Sequence, residues 1–167
     1  MALGARLVSV SWKHRRKLLK IQGHMEQNQY AEAESLLTEI IENDDALPEP
    51  RLYRAMVRIR MSKLPEALED AEACVQARPE NGVAHMVEGE VFVHMKDFMR
   101  AYASLRKACE LERDNGRAYY FLAEACLGLG KAEEASDYLE VALQFERDFV
   151  NAKLATKILE TGQRSSP

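Results

Sequence analysis

Residues Pro65–Pro79 read PEALEDAEACVQARP. Their apolar members Ala67, Leu68, Ala71, Cys74 and Val75 recur at helical spacing and predict an amphipathic helix. Pro65 suits its first turn, where the missing N–H has no partner to lose, and Pro79 forbids its continuation. At intervals of 34 residues the chain carries three counterparts: AEAESLLTEIIENDD at 31–45, MRAYASLRKACELER at 99–113 and EEASDYLEVALQFER at 133–147. The same small residue holds the third place in each, as Ala33, Ala67, Ala101 and Ala135. A second column is Ile40, Cys74, Ala108 and Ala142, and a third, upstream, is Ile21, Ala55, Gly89 and Ala123. A long period kept at three columns marks an array of stacked units rather than a single layered domain.

Each unit divides into two helices. Unit one, about 14–47, has Leu18, Leu19, Ile21 and Met25 on its first helix, a turn at Asn28-Gln29, and a second helix through Ile41. Unit two, about 48–81, carries Tyr53, Ala55, Met56, Val57 and Ile59 before the helix of Pro65–Pro79. Unit three, about 82–115, turns at Lys96-Asp97, and unit four, about 116–149, at Gly128 and Gly130. Residues 1–13 form a basic extension, 150–161 predict a capping helix over the last apolar face, and 162–167 are expected to be a disordered tail. Small residues let paired helices approach closely, whereas Phe92, Tyr102, Leu105 and Leu139 fill the space between units.

Composition narrows the function. The chain has 167 residues, 47% apolar and 30% charged, and a net charge of −4, which argues against nucleic-acid binding by the whole chain. No apolar run is long enough to span a bilayer. Three separated cysteines with no C-x-x-C pair indicate neither zinc nor a disulfide framework; reduced, buried thiols are expected. Arg6, Lys13, Arg15, Arg16, Lys17 and Lys20, with no acid before Met25, make the N-terminus basic. That stretch reads as a solvated helix face, with a mitochondrial or nuclear targeting signal or an anion- or membrane-surface patch as alternatives.

The 34-residue period, the alanine columns, Ala67-Leu68-Glu69-Asp70-Ala71 and the run Gly116 to Phe145 resemble the tetratricopeptide repeat family over about 14–161. The style is that of cytosolic co-chaperone domains. The resemblance implies an all-α, right-handed solenoid of four helix-turn-helix units with a C-terminal cap. It also implies a concave groove, lined by the first helices, that takes a peptide or helix from a partner protein.

Those co-chaperones grip an acidic C-terminal tail with a clamp of Lys, Asn and Arg. Here the clamp positions fall on Leu18, Gln22, Tyr53, Val83 and Val87, so the three cationic places are all apolar. The expected partner is therefore another protein whose segment is not an acidic chaperone tail held by that clamp. The groove places include Leu18, Gln22, Val83 and Phe121. The expected contact residues are Leu52, Tyr53, Met56, Arg60, Met86, Val87, Glu90, His94, Tyr120 and Glu124. An apolar surface with soft methionines and flanking charges suits an amphipathic helix.

No nucleophile, base and orienting group can be assembled from these residues, no metal-ligand spacing or phosphate loop occurs, and no cofactor is expected. The expected function is a non-enzymatic, cytoplasmic interaction module: an adaptor, scaffold or co-chaperone-like protein. The alternatives are a dedicated secretion or assembly chaperone, or surface binding through residues 13–20. If the alanine columns mark close helix contacts, Ala101→Leu overpacks the array. It should cost about 1–3 kcal/mol in urea unfolding, whereas substitution of the adjacent Arg100 should leave stability nearly unchanged.

Overall fold

A computed structural model of the chain describes residues 15–43 and 48–145. The expected extension at 1–13, the capping helix at 150–161 and the tail lie outside the described residues. Eight α-helices and no strand occur among the described residues, in two compact units. The first unit holds α1 (Arg15–Glu26), α2 (Tyr30–Asn43), α3 (Pro48–Arg60) and α4 (Leu64–Ala77). The second holds α5 (Gly82–His94), α6 (Phe98–Leu111), α7 (Gly116–Gly128) and α8 (Ala132–Phe145). Within each unit consecutive helices pack on one another as helix pairs, the all-α solenoid class.

The reversal inside each pair is made the same way four times. Asn28, Ser62, Lys96 and Gly130 all have left-handed backbone, with φ of 58°, 59°, 61° and 76°. The next residue donates its N–H back across the helix end. Gln29 bonds the carbonyl of His24 at 2.8 Å, and Lys63 bonds Arg58, Asp97 bonds Phe92 and Lys131 bonds Cys126, each at 2.9 Å. The left-handed residues donate to Met25, Ile59, Val93 and Leu127 at 2.9–3.1 Å. These bonds satisfy carbonyls that a helix end leaves without partners. In the second unit the helix starts are capped by side chains. Asn81 accepts from the N–H groups of Val83 and Ala84, Asp97 from Arg100, and Asn115 from Ala118.

The alanine column lies at the contact between paired helices: Ala33, Ala67, Ala101 and Ala135 are fully buried. At Gly89 the approach is closer still, because a methyl group there would overlap the buried Leu105 side chain. Gly128 likewise gives room to the ring of Phe98. In the first unit Leu18, Ile21, Ala33, Leu37, Ile40 and Val57 form one cluster, with Tyr53, Met25 and Leu36 packed against it. Leu18, expected in the groove, is therefore a core residue.

Only glycine adopts the left-handed turn without a side-chain penalty. Lys96→Gly should stabilise the second unit by up to about 1 kcal/mol and Gly130→Ala should destabilise it by a similar amount, both read as shifts in urea midpoint at unchanged slope.

Candidate functional site: the first-helix faces

In the first unit α3 has two working faces. Arg51, Arg54 and Arg58, spaced three and four apart, share one of them and meet acids from both flanking helices. Arg54 grips Asp70 of α4 with two parallel bonds, 2.8 Å from Nε and 2.7 Å from Nη2, and donates Nη1 to Thr38 of α2 at 3.1 Å. Arg58 bonds Asp70 at 2.8 Å and Glu34 of α2 at 2.9 Å, and Arg51 stands 3.7 Å from Asp70. Lys63 adds a 2.6 Å bond to Glu34. Asp70 is only 2% exposed, so its charge is held by guanidinium groups rather than water. Hydrogen bonding to Asp70 raises the Arg54 pKa, outweighing burial. Burial disfavours the Glu34 carboxylate, but bonds from Lys63 and Arg58 prevail and lower its pKa.

The expected contact residues of this unit divide accordingly. Leu52 is buried, Tyr53 and Met56 are half-buried, and Arg60 is exposed. Gln22 is half-buried and bonds Glu26. Of the basic stretch, Lys17 is tied to Glu39 at 2.7 Å, while Arg16 and Lys20 are exposed.

In the second unit the expected face is largely closed. Met86, Val87 and Glu90 on α5 are 3%, 0% and 1% exposed, and Tyr120 on α7 is 8% exposed. In this arrangement they are buried rather than open to a partner. Glu90, read from the sequence as a charge at one end of a groove, receives Nη2 of Arg117 on both carboxylate oxygens, at 2.7 and 2.8 Å. Arg117 also lies over the Phe121 ring, 5.7 Å from its centroid. His94 remains exposed and meets the edge of Phe121 at 6.4 Å. Glu124 is half-buried and, after burial itself, is the second cause of a raised Tyr120 pKa. Sequence reasoning missed Arg117. Its signal is positional: it stands at the start of the first helix of the following repeat, near enough to reach a carboxylate on the preceding first helix.

The thiols lie inside. Cys74 donates to the Pro48 carbonyl at 3.2 Å, and burial pushes the Cys109 and Cys126 thiols up to about 12 and about 11. Among the described residues no three His, Cys, Asp or Glu side chains form a group fit for a metal, and no helix is long and apolar enough to cross a membrane.

This architecture has counterparts. Residues 65–142 match the family described as anaphase-promoting complex, cyclosome, subunit 3. Over 90% of its length the chain superposes on 82% of TTC0263, a thermophilic TPR protein of Thermus thermophilus, with a TM-score of 0.77 at 17% identity. The chain has the fold of tetratricopeptide repeat proteins. It is also 33% identical over 94 residues to rat (Rattus norvegicus) sperm-associated antigen 1, which covers 55% of this chain and only 10% of that protein. The first TPR of Spaghetti (RPAP3), solved with the HSP90 peptide SRMEEVD, matches 70% of this chain and 91% of its own, with a TM-score of 0.63 and 22% identity.

The ionic seam of α3 gives a pH test. Because the folded pKa of Glu34 lies below its ordinary 4.5, its contribution is complete above that value and is lost as pH falls through the lower, folded one. Wild type should lose urea resistance below about pH 4.5. Glu34→Gln should be less stable at neutral pH and decline less steeply with acid. Asp70→Asn should be worse, by about 3–5 kcal/mol, since it leaves buried guanidinium groups without their counter-charge.

Proposed function

We propose that this chain is a protein–protein interaction module that receives an apolar or amphipathic helical segment of a partner on a first-helix face. The supporting observation is the state of the clamp positions. Leu18 is buried in the core, Val87 is fully buried, Tyr53 packs against the core and Val83 is half-buried. None of these four offers a cation to a carboxylate, and the fifth place, Gln22, has its amide bonded to Glu26 at 3.0 Å. RPAP3 shares the fold and was solved with the acidic peptide SRMEEVD; this chain keeps the fold with apolar residues at the three cationic clamp places.

The surface left for a partner is narrower than the sequence suggested. In the first unit it is Met56 with Tyr53 and Arg60; in the second it is His94 with Glu124. Methionine beside an aromatic ring is an adaptable apolar contact, and the flanking charges set orientation. An adaptor or co-chaperone-like role in the cytoplasm fits three shielded thiols that form no disulfide. Organellar or nuclear import through the basic N-terminus is the alternative placement.

The test is binding by substituted full-length protein, first checked for fold by circular dichroism. SRMEEVD should show no saturable binding. Partners recovered from lysate should include one lost from Met56→Glu and retained by Arg16→Ala/Lys20→Ala, with weak salt dependence. Met86→Glu is unsuitable for this purpose, because the side chain is buried and its loss reports folding. Saturable SRMEEVD binding, or retention of every partner by Met56→Glu, would sink the reading.

A further inference from the structure

At the α5–α6 reversal the second unit carries a shallow concavity of about 490 Å³, lined by Met95, Lys96, Asp97, Phe98, Met99 and Leu129. Met99 is 70% exposed and Met95 40%; with Phe145 they are the open large apolar side chains among the described residues of that unit. The other described methionines are closed or half-closed: Met86 is 3% exposed, and Met25, Met56 and Met61 are half-buried. All three cysteines are buried, at 0% for Cys74 and Cys126 and 8% for Cys109.

We propose that, among the described residues, Met99, followed by Met95, is the site of oxidative modification, taking a hydroperoxide as co-reactant while all three thiols are spared. The usual order is the reverse, because an accessible thiolate is the better nucleophile. Here the fold inverts that order. A thiol reacts through its thiolate, and burial both excludes the peroxide and disfavours the charge, holding Cys109 near 12 and Cys126 near 11. A thioether needs no deprotonation. Its sulfur lone pair attacks one peroxide oxygen, an S–O bond forms as the O–O bond breaks, and sulfur gives up two electrons. The departing oxygen takes a proton and leaves as water or an alcohol.

The location gives the modification a consequence. Lys96 takes the left-handed turn between the two methionines, the Phe98 ring is seated against Gly128, and both methionines line the same concavity with Phe98 and Leu129. A sulfoxide is polar and a strong acceptor, so it makes that lining more polar without entering the core. Met99 is open enough that its oxidation leaves the helices intact. The assignment holds whether or not a partner occupies the first-helix faces.

The experiment treats native full-length protein with hydrogen peroxide and maps early time points by peptide mass spectrometry. The remaining thiols are alkylated after denaturation. The expected result is one added oxygen at Met99 first and Met95 second, with Met86 slower than Met99 by at least about tenfold and all three cysteines still alkylated. Far-ultraviolet circular dichroism should be unchanged at those points. In denaturing urea Met86 should react as fast as Met99, and the cysteines should be lost first. Cysteine loss at or before Met99 oxidation in the native protein, equal native rates at Met86 and Met99, or an order unchanged by urea would each overturn the proposal.

Discussion

The structure depends on a chain reversal completed in three residues. A helix ending at Glu26, Arg60, His94 or Gly128 must be followed by its antiparallel partner within a few Ångströms, and only a left-handed residue turns the backbone sharply enough. The bonds from Gln29, Lys63, Asp97 and Lys131 back across the helix end lock that geometry. Once it is set, the alanine column four to five residues further on must face the helix just left. This is why all four places hold a fully buried alanine: the spacing from the turn, and not local propensity, fixes the contact. Gly89 against Leu105 shows the same rule from the other side of the pair.

What fills the seam between helices differs between repeats, although the positions correspond at 34 residues. On α1 they hold Lys17, Lys20 and His24, on α3 Arg51, Arg54 and Arg58, on α5 His85, Glu88 and Phe92, and on α7 Tyr119, Leu122 and Cys126. The seam thus passes from cationic to apolar along the sequence. Its partners change to match. Arg54 finds Asp70 sixteen residues on, and Glu88 finds the Ser104 hydroxyl at the same separation, at 2.7 Å. Apolar packing would stabilise such seams without directional demands. A buried carboxylate gripped by guanidinium groups instead fixes rotation and register of α3 against α4, because any slip leaves charge without a counter-charge.

The fold class was legible in the sequence because a period of 34 survives even where residue types change. The turn at Lys96-Asp97 was legible too, although lysine does not announce a left-handed backbone; Gly130 does, and the period carries the inference across. The candidate site was read less well. A repeat column tells which helix a residue occupies and roughly which way it points. It does not tell how much of that face adjacent side chains cover. Met86, Val87 and Tyr120 stand at groove positions and are nevertheless buried. Glu90 looked like a surface charge because its partner, Arg117, is 27 residues away and belongs to the next repeat. The arginine face of α3 went unread for a related reason: arginine at a packing position looks like solvent exposure until the acids of α2 and α4 are brought against it.

That burial bears on what kind of partner the faces can take. A clamp for an acidic tail needs cations that stand free at the surface. At Leu18 and Val87 the chain has instead placed aliphatic side chains inside its own packing, at 5% and 0% exposure. Restoring a cation there would mean burying a charge among aliphatic groups, which is unfavourable unless a carboxylate is already present to meet it. On the proposed reading the aliphatic residues at these clamp places are therefore tied to stability, and recognition of an acidic tail would have to be rebuilt together with the core. On α3 Arg60 is exposed, while Met56 and Tyr53 are half-buried and Tyr53 packs against the core of the first unit. On the proposed reading a partner's apolar side chain would bury beside Met56, at the margin of that packing.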